Sequence, residues 1–518
     1  MNERIVNLRK LKEKAMLGGG LQKIEREHKK GKLTARERIN LLFDNGSFHE
    51  FNLLVKHKLN APGDGIIIGH GLINGRRICA FAHDATVFGG SQGYFHGKKL
   101  YKIYEFAYKN RIPIIGLNDS PGARVIRPDI AGSDDPYRVS DEKHAGVIFY
   151  MNSKCSGVIP QISAILGNCT GGSVYSPALT DFIFMVEKIS KMFITGPRVI
   201  KSVTGEEIDM EKLGGTDVHC KLTGIADIRS KTEEECFSNI KKLISYLPDN
   251  CDEAPERTGI SNLQNSTCNE IGNIIPSNSS KAYNIKKVIK HLVDNSEFLE
   301  IKTDFAKELV TGFARINGYV FGIVGNQPIE KAGCMTVDSS WKQARFVRFC
   351  DCFNIPLLLL VDTPGYLPGK EQEYNGIIRH GAKVLYALSE ATVPKIAIIL
   401  RKVYGGAALG MGILPGFGTD MVFSLPYSEI GAMGAEQAVN LFYSNEIKQA
   451  ENKTDFLNEK IAEYKKHYSD TFALASDVTY IDDIIEPEDM RITIIKAYEL
   501  LKTKRRIKSE KIHGNIPL

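Results

Sequence analysis

Short apolar runs rich in β-branched residues alternate along most of this chain with longer stretches of helical periodicity. Ile66-Ile67-Ile68 and Ile78-Cys79-Ala80-Phe81 read as strands, 98–110 as a helix, and 112–117 as a buried strand. The parallel-type strands are short apolar runs, the pattern of strands covered on both faces, which argues α/β rather than all-α or all-β. Residues 1–43 form a polar helical extension. In it Thr34-Ala35-Arg36-Glu37 has capping-box spacing, and Ile39, Leu41, Leu42 and Phe43 supply the apolar face. The interval 440–470 is amphipathic and rich in Lys and Glu, predicting a surface helix or two.

The pattern occurs twice. Ile112-Pro113-Ile114-Ile115-Gly116-Leu117-Asn118-Asp119-Ser120-Pro121-Gly122 returns as Ile355-Pro356-Leu357-Leu358-Leu359-Leu360-Val361-Asp362-Thr363-Pro364-Gly365. Ile73-Asn74-Gly75 pairs with Ile316-Asn317-Gly318. Phe43-Asp44-Asn45-Gly46-Ser47-Phe48 pairs with Val293-Asp294-Asn295-Ser296-Glu297-Phe298. Pro160 precedes Gly171-Gly172 by the same 11 positions that separate Pro394 from Gly405-Gly406. Four landmarks in one order mean two copies of one domain, so a site built on the Gly-Gly corner should exist twice. The expected division is a first domain over 1–255, a linker rich in Asn, Ser and Pro over 256–281, and a second domain over 282–518.

A length of 518 residues suits two large domains. A net charge of +6, dispersed except at the ends, tolerates a phosphorylated cofactor but does not announce nucleic-acid binding, and no nucleic-acid partner is expected. The ten cysteines include no Cys-x-x-Cys pair, which disfavours a zinc ribbon and fits a reducing compartment; no metal is expected. Met1-Asn2-Glu3-Arg4-Ile5 leads into Lys/Glu-rich sequence without a signal-type apolar core. No uninterrupted apolar run approaches the ~20 residues of a membrane helix. The sequon at 265–267 carries no weight without secretion, and the protein is expected to be cytoplasmic.

Each Gly-Gly corner follows an apolar run, 161–166 or 395–400, and precedes a helix-compatible segment. A strand entering a helix through two small residues leaves first-turn N–H groups unpaired. Glycine lets a ligand approach that backbone closely, and a helix dipole adds positive charge there. Such a corner is an oxyanion hole, worth roughly 3–4 kcal/mol of transition-state stabilisation per donor. A second reading stays open: the glycines let strand and helix pack closely, and duplication would preserve that device too.

Several segments resemble the carboxyltransferase subunits of biotin-dependent acyl-CoA carboxylases and decarboxylases, most closely the propionyl-CoA carboxylase β-subunit type. The likeness is carried by 156–163, 175–182, 193–197 and 201–206 in the first half, and by 324–328, 344–351, 376–383, 480–487 and 513–518 in the second. It covers nearly the whole chain from about Thr34. The resemblance implies two tandem crotonase-like (ClpP/crotonase) domains and a homo-oligomer, a dimer-based hexamer. It also implies that the amides of Gly171 and Gly172 bind the acyl-CoA substrate and hold its thioester oxygen as it becomes an enolate. Gly405, Gly406 and Ala407 would bind biotin, with the amides of Gly406 and Ala407 on its ureido oxygen. In that family carboxybiotin releases CO2, the freed nitrogen removes the α-proton, and the enolate captures CO2. Coenzyme A enters as part of the substrate. Biotin must come from a partner, since no Met-Lys-Met carrier turn occurs here. The implied partners are a biotin carboxyl carrier protein and a biotin carboxylase subunit, or a membrane decarboxylase subunit.

Three departures from the family stand out. Leu409 replaces an Asp that lies in the acyl pocket, which affects the choice of acyl group. The segment Gly410 to Gly418 lacks the usual Ser/Lys-containing sequence and contains Pro415. Asp119 to Pro160 spans 41 positions, a long active-site loop. Its Arg124, Arg127 and Arg138 are either solvated loop charges or contacts to an acidic acyl group or CoA phosphate.

Other motifs offer rivals. Gly89-Gly90-Ser91-Gln92-Gly93 fits the nucleophile-elbow pattern of a serine hydrolase. Asp362-Thr363-Pro364-Gly365 imitates a nucleotide switch, but Gly97-Lys98 lacks P-loop spacing and Lys99 replaces Ser/Thr. His380 and Arg379 read as structural, and Trp341 as packing. The main expectation is CO2 transfer between carboxybiotin and an acyl-CoA. The alternatives are the α-subunit of a decarboxylase running the reverse half-reaction, a crotonase-type or serine thioester hydrolase, and a scaffold with degenerate holes.

Overall fold

The computed structural model describes residues 2–56, 61–124, 146–259, 268–504, 511 and 513–517. By its own contacts the chain divides into two units, Met1–Glu253 and Ala254–Leu518. The first contains β1 (His49–Phe51), β2 (Ile66–Ile73), β3 (Arg76–His83), β4 (Ile114–Ser120), β5 (Gln161–Thr170), β6 (Phe182–Val186), β7 (Lys191–Phe193) and β8 (Ile228–Ser230). The second contains β9 (Phe298–Ile301), β10 (Leu309–Ile316), β11 (Tyr319–Asn326), β12 (Leu357–Thr363), β13 (Lys395–Tyr404), β14 (Met421–Ser424), β15 (Glu429–Gly431) and β16 (Asp483–Ile484).

The two sheets share one topology. Their orders are β1-β2-β3-β4-β5-β6-β8 with β7 on β5, and β9-β10-β11-β12-β13-β14-β16 with β15 on β13. In each sheet the first three strands pair antiparallel and the rest parallel. The likeness extends to the backbone. Asn74, Phe88 and Arg111 have positive φ, and so do Asn317, Lys331 and Asn354, at one constant offset. Asp44 accepts the amides of Asn74 and Gly75, both at 3.0 Å, and Asp294 accepts those of Asn317 and Gly318 at 3.0 and 2.7 Å. Each carboxylate fastens the β-turn that joins the first long hairpin.

Burial follows the apolar runs. In the first unit the helix Tyr94–Asn110 lays Leu100, Ile103, Tyr104 and Ala107 on Ile66, Ile68, Cys79 and Phe81. In the second, Val288, Ile289 and Leu292 of the helix Ile285–Leu292 join Val310, Phe321, Leu358 and Ile398. The capping box at Thr34 and Glu37 is present, with Glu37 reaching back to the Thr34 amide at 2.7 Å. The polar interval becomes the helices Ser444–Gln449 and Lys453–Tyr468, neither of which buries a residue.

The expected linker is largely part of the second unit. Cys268, Ile271 and Ile275 sit in its core, and Arg257 stacks on Tyr319 at 4.1 Å. The segment has few apolar residues, but Ile271 and Ile275 stand one helical turn apart and both point inward. The sequon and the basic stretch 505–510 lie outside the described residues. Among the described residues no helix is long and apolar enough to cross a membrane.

Candidate active site

The same irregularity shapes both corners. β4 advances two residues while β5 advances four (Asn118 opposite Ile165, Ser120 opposite Cys169), and β12 and β13 repeat this bulge (Val361 opposite Ile399, Thr363 opposite Val403). A bulge at a strand end re-aims the chain that follows. Here it brings Pro121-Gly122 beside Thr170, whose hydroxyl donates to the Pro121 carbonyl at 3.1 Å. Gly122 has φ +96°, and a Cβ there would lie 2.8 Å from the Thr170 carbonyl oxygen, so glycine is required.

In the first unit β5 runs into a 3-10 turn, Gly171–Val174, followed by one turn of α-helix, Tyr175–Ala178. Ser173 and Val174 are buried and anchor the turn, with Val174 in a cluster with Ile165, Cys169 and Ile183. The Ser173 hydroxyl donates back to the Thr170 carbonyl at 2.7 Å. Gly171 has φ +63°, and a Cβ on either Gly171 or Gly172 would meet nothing within 4 Å. Close packing therefore does not explain this pair. Among the described residues, neither amide donates to an acceptor.

In the second unit β13 enters the helix Gly406–Gly410 directly. Gly405 has φ +53°, its amide donates to the Gly431 carbonyl at 2.9 Å, and a Cβ on it would lie 3.0 Å from the Ala432 carbonyl. Gly405 is thus spent on the turn, and its N–H is not offered to a ligand. The amides of Gly406 and Ala407 have no acceptor among the described residues. Gly406 is exposed, Ala407 is buried beneath it, and Leu409 is half-buried on the same short helix. Both helices are too short to sum a large macrodipole, so the donors act as individual amides rather than through the dipole that the sequence suggested.

Buried charge holds the bulges in place. Asp119 lies between the Arg38 guanidinium at 3.1 Å and the Lys32 ammonium, while Arg38 also binds Glu233 at 2.6 Å and the Leu166 carbonyl at 2.6 Å. Asp362 takes the Arg401 guanidinium at 2.8 Å, and Arg401 also donates to the carbonyls of Asn278 and Lys281. Burial raises the Asp362 carboxyl, and the neighbouring Arg401 charge pulls it back down. His83 accepts the Asp119 amide on Nδ1 at 3.3 Å, and burial holds its imidazole down at about 4, against the pull of the Asp119 charge. Asn326 does the same for Asp362 through Oδ1 at 3.1 Å.

Arg124 is neither solvated nor ligand-facing. It is buried, paired with Asp64, and donates to the Ser91 hydroxyl at 3.1 Å and carbonyl at 2.8 Å. It staples the 88–93 loop to the 121–124 segment. Ser91 donates to the Phe88 carbonyl at 2.8 Å, so its hydroxyl is engaged on both sides rather than poised as a nucleophile. Lys99 points into the protein and binds the carbonyls of Gly63 and Ile66. Trp341 packs edge-on against Phe305 at 5.9 Å. Arg127 and Arg138 lie outside the described residues. The guanidiniums of Arg38 and Arg401 escaped the sequence reading because their partners are distant in the chain; a buried-strand pattern interrupted by arginine, 395–404, was the one available signal for Arg401.

Two tandem sheets of crotonase-like topology, each ending in a strand-to-helix corner with free amides, define the class. Residues 26–516 match the carboxyl transferase domain family, and the chain belongs to it. It is 46% identical to a methylmalonyl-CoA decarboxylase subunit alpha from Propionigenium modestum, covering 100% of this chain and 99% of that protein. It is 45% identical to a propionyl-CoA carboxylase carboxyltransferase subunit from Haloferax mediterranei, with 100% of both covered. The transcarboxylase 12S hexamer core, solved with methylmalonyl-coenzyme A and methylmalonic acid bound, superposes with a TM-score of 0.93 at 42% identity, over 100% of this chain and 98% of that one.

Proposed function

We propose that this biotin-dependent acyl-CoA carboxyltransferase uses its first-unit corner for the thioester and its second-unit corner for biotin. The amides of Gly171 and Gly172 hold the acyl-CoA carbonyl oxygen as negative charge develops on it, and those of Gly406 and Ala407 hold the ureido oxygen. The observation that carries this reading is the pair of unfilled amide cradles at matched points of two duplicated sheets. Two fixed N–H donors on one oxygen stabilise the enolate-like transition state more than the neutral ground state, which is what acceleration requires.

Carboxylated biotin, delivered on a partner carrier, would supply the CO2 and, once that carboxyl has left, a ureido nitrogen that accepts the α-proton. The chain orients the reactants and has no side-chain proton transfer to perform. Its buried acids near the corners are already committed, Asp119 to Arg38 and Lys32, and Asp362 to Arg401. The substrates proposed are propionyl-CoA and its malonyl-type product, methylmalonyl-CoA, with the half-buried Leu409 giving the acyl pocket an apolar contact. Relatives named for carboxylation and for decarboxylation match at nearly equal identity, in keeping with one reversible half-reaction. The partners proposed are a biotin carrier protein together with a biotin carboxylase or a membrane decarboxylase subunit, around a hexameric core.

The test is decarboxylation of a panel of malonyl-type CoA esters by the purified chain with free biotin. Biotin-dependent CO2 release is expected, greatest with methylmalonyl-CoA. Esters that bind but stay inert across the panel would overturn the assignment.

A further inference from the structure

Gln92 bridges Ala123 in the first unit, and Met335 bridges Tyr366 at the matching point of the second. The surrounding bonds repeat: Gln92 donates to Gly122 and Arg124 to Gln92, both at 2.9 Å, as Met335 donates to Gly365 at 3.0 Å and Leu367 to Met335 at 2.8 Å. Ala123 and Tyr366 are therefore one structural position occupied by two very different side chains.

The difference falls on the corners. The Tyr366 ring passes 3.6 Å from where a Cβ of Gly406 would stand. Its hydroxyl comes within 2.8 Å of a Cβ on Gly410 and 3.2 Å of one on Gly381. The phenol is half-buried and neutral, pushed up to about 12 by burial and held back by a hydrogen bond with Ser340. It runs the length of the helix Gly406–Gly410 and makes a flat wall beside the free amides. Among the described residues the first corner has no counterpart, since a Cβ on Gly172 meets nothing. A compact bicyclic urea gains by lying its face on an aromatic wall. A thioester trailing the long coenzyme A chain needs the open corner.

Resting on the function proposed above, we infer that Ala123 and Tyr366 are the pair that sorts the two reactants, with Ala123 leaving room for the acyl thioester and Tyr366 forming the seat of the biotin ring. The experiment measures KM for free biotin and for methylmalonyl-CoA separately, with CoA-ester binding followed independently by calorimetry. Tyr366→Ala raises the biotin KM about tenfold and leaves CoA-ester affinity unchanged. Tyr366→Phe, which keeps the ring, rescues the biotin KM lost in the alanine variant. Ala123→Tyr weakens CoA-ester binding by about tenfold or more and leaves the biotin KM unchanged. Loss of both affinities in either variant, or of neither, would assign the two residues to packing and overturn the inference. A wild-type chain that binds CoA esters but never turns over with biotin overturns the function itself, an outcome visible before any variant is made.

Discussion

In the first unit the bulge aspartate, Asp119, is neutralised by Arg38 from a helix that precedes the sheet. In the second, Asp362 is neutralised by Arg401 from the adjacent strand. The positions have traded contents. Gly167 stands where the second copy has Arg401, and a Cβ there would collide with the Asp119 carboxylate; Val288 stands where the first copy has Arg38 and is buried among apolar side chains. A carboxylate shut away from water requires a cation, while the cation's point of origin is free to change. The corners diverge in the same manner. Backbone φ, bulge and free amides recur, whereas the neighbouring side chain, Ala123 or Tyr366, does not.

Removing either cation should have the largest effect. Arg38→Met and Arg401→Met each orphan a buried acid and should cost about 3–5 kcal/mol in denaturant titration. A cost below about 1 kcal/mol for Arg38→Met would mean that Lys32 alone neutralises Asp119 and that the comparison is mistaken.

Blocking the cradles comes next. Gly172→Val and Gly406→Val should each lower turnover about 10²- to 10³-fold, because a side chain then occupies the space of the oxyanion. Gly172→Val should melt like the parent chain, since a Cβ there meets none of the described residues within 4 Å. Near-normal turnover in either variant contradicts the role given to that corner.

Glycines at the two corners separate them more finely, the strained leading Gly405 against the unstrained second glycine Gly172. Gly405→Ala combines φ +53° with a carbonyl 3.0 Å away and should cost about 1–3 kcal/mol. Gly172→Ala should change stability by no more than about 0.5 kcal/mol. Equal losses at both sites would show that both corners are packing devices.

A further difference is a pH dependence that His83 gives the first unit and its second-unit counterpart does not share. His83, facing Asp119, Arg38 and the stacked ring of His96 at 5.0 Å, stays neutral down to about pH 4 because burial disfavours the imidazolium. An unfolded imidazole protonates near 6.5. Between these values the unfolded chain binds a proton that the folded chain refuses, so stability falls as pH drops through the window and levels off below it. Asn326 holds the same place in the second unit and does not titrate. His83→Asn should reduce the fall in a pH series of melts, with a residual slope from the other imidazoles that burial depresses, His70, His96, His219 and His380. An unchanged slope would remove His83 from the account.

Much of this was legible in the residues. The alternation of apolar runs and helical stretches predicted an α/β architecture, and the repeated Ile-Pro and Asp-x-Pro-Gly stretches located matching strands in each half, because such signals depend on neighbours within a few positions. The Gly-Gly spacing found both corners for the same reason. The linker was misjudged since its low apolar content hid Ile271 and Ile275, and Arg124 was misjudged since its partner, Asp64, lies far back in the chain. Local order along the chain determined strands, turns and the duplication itself. The tertiary structure alone decided which cation meets which buried acid, that Gly405 spends its amide on Gly431, and that an aromatic ring walls one corner while no described side chain walls the other. Those are contacts between residues remote in sequence, and folding, which shuts such groups away from water, selects among them.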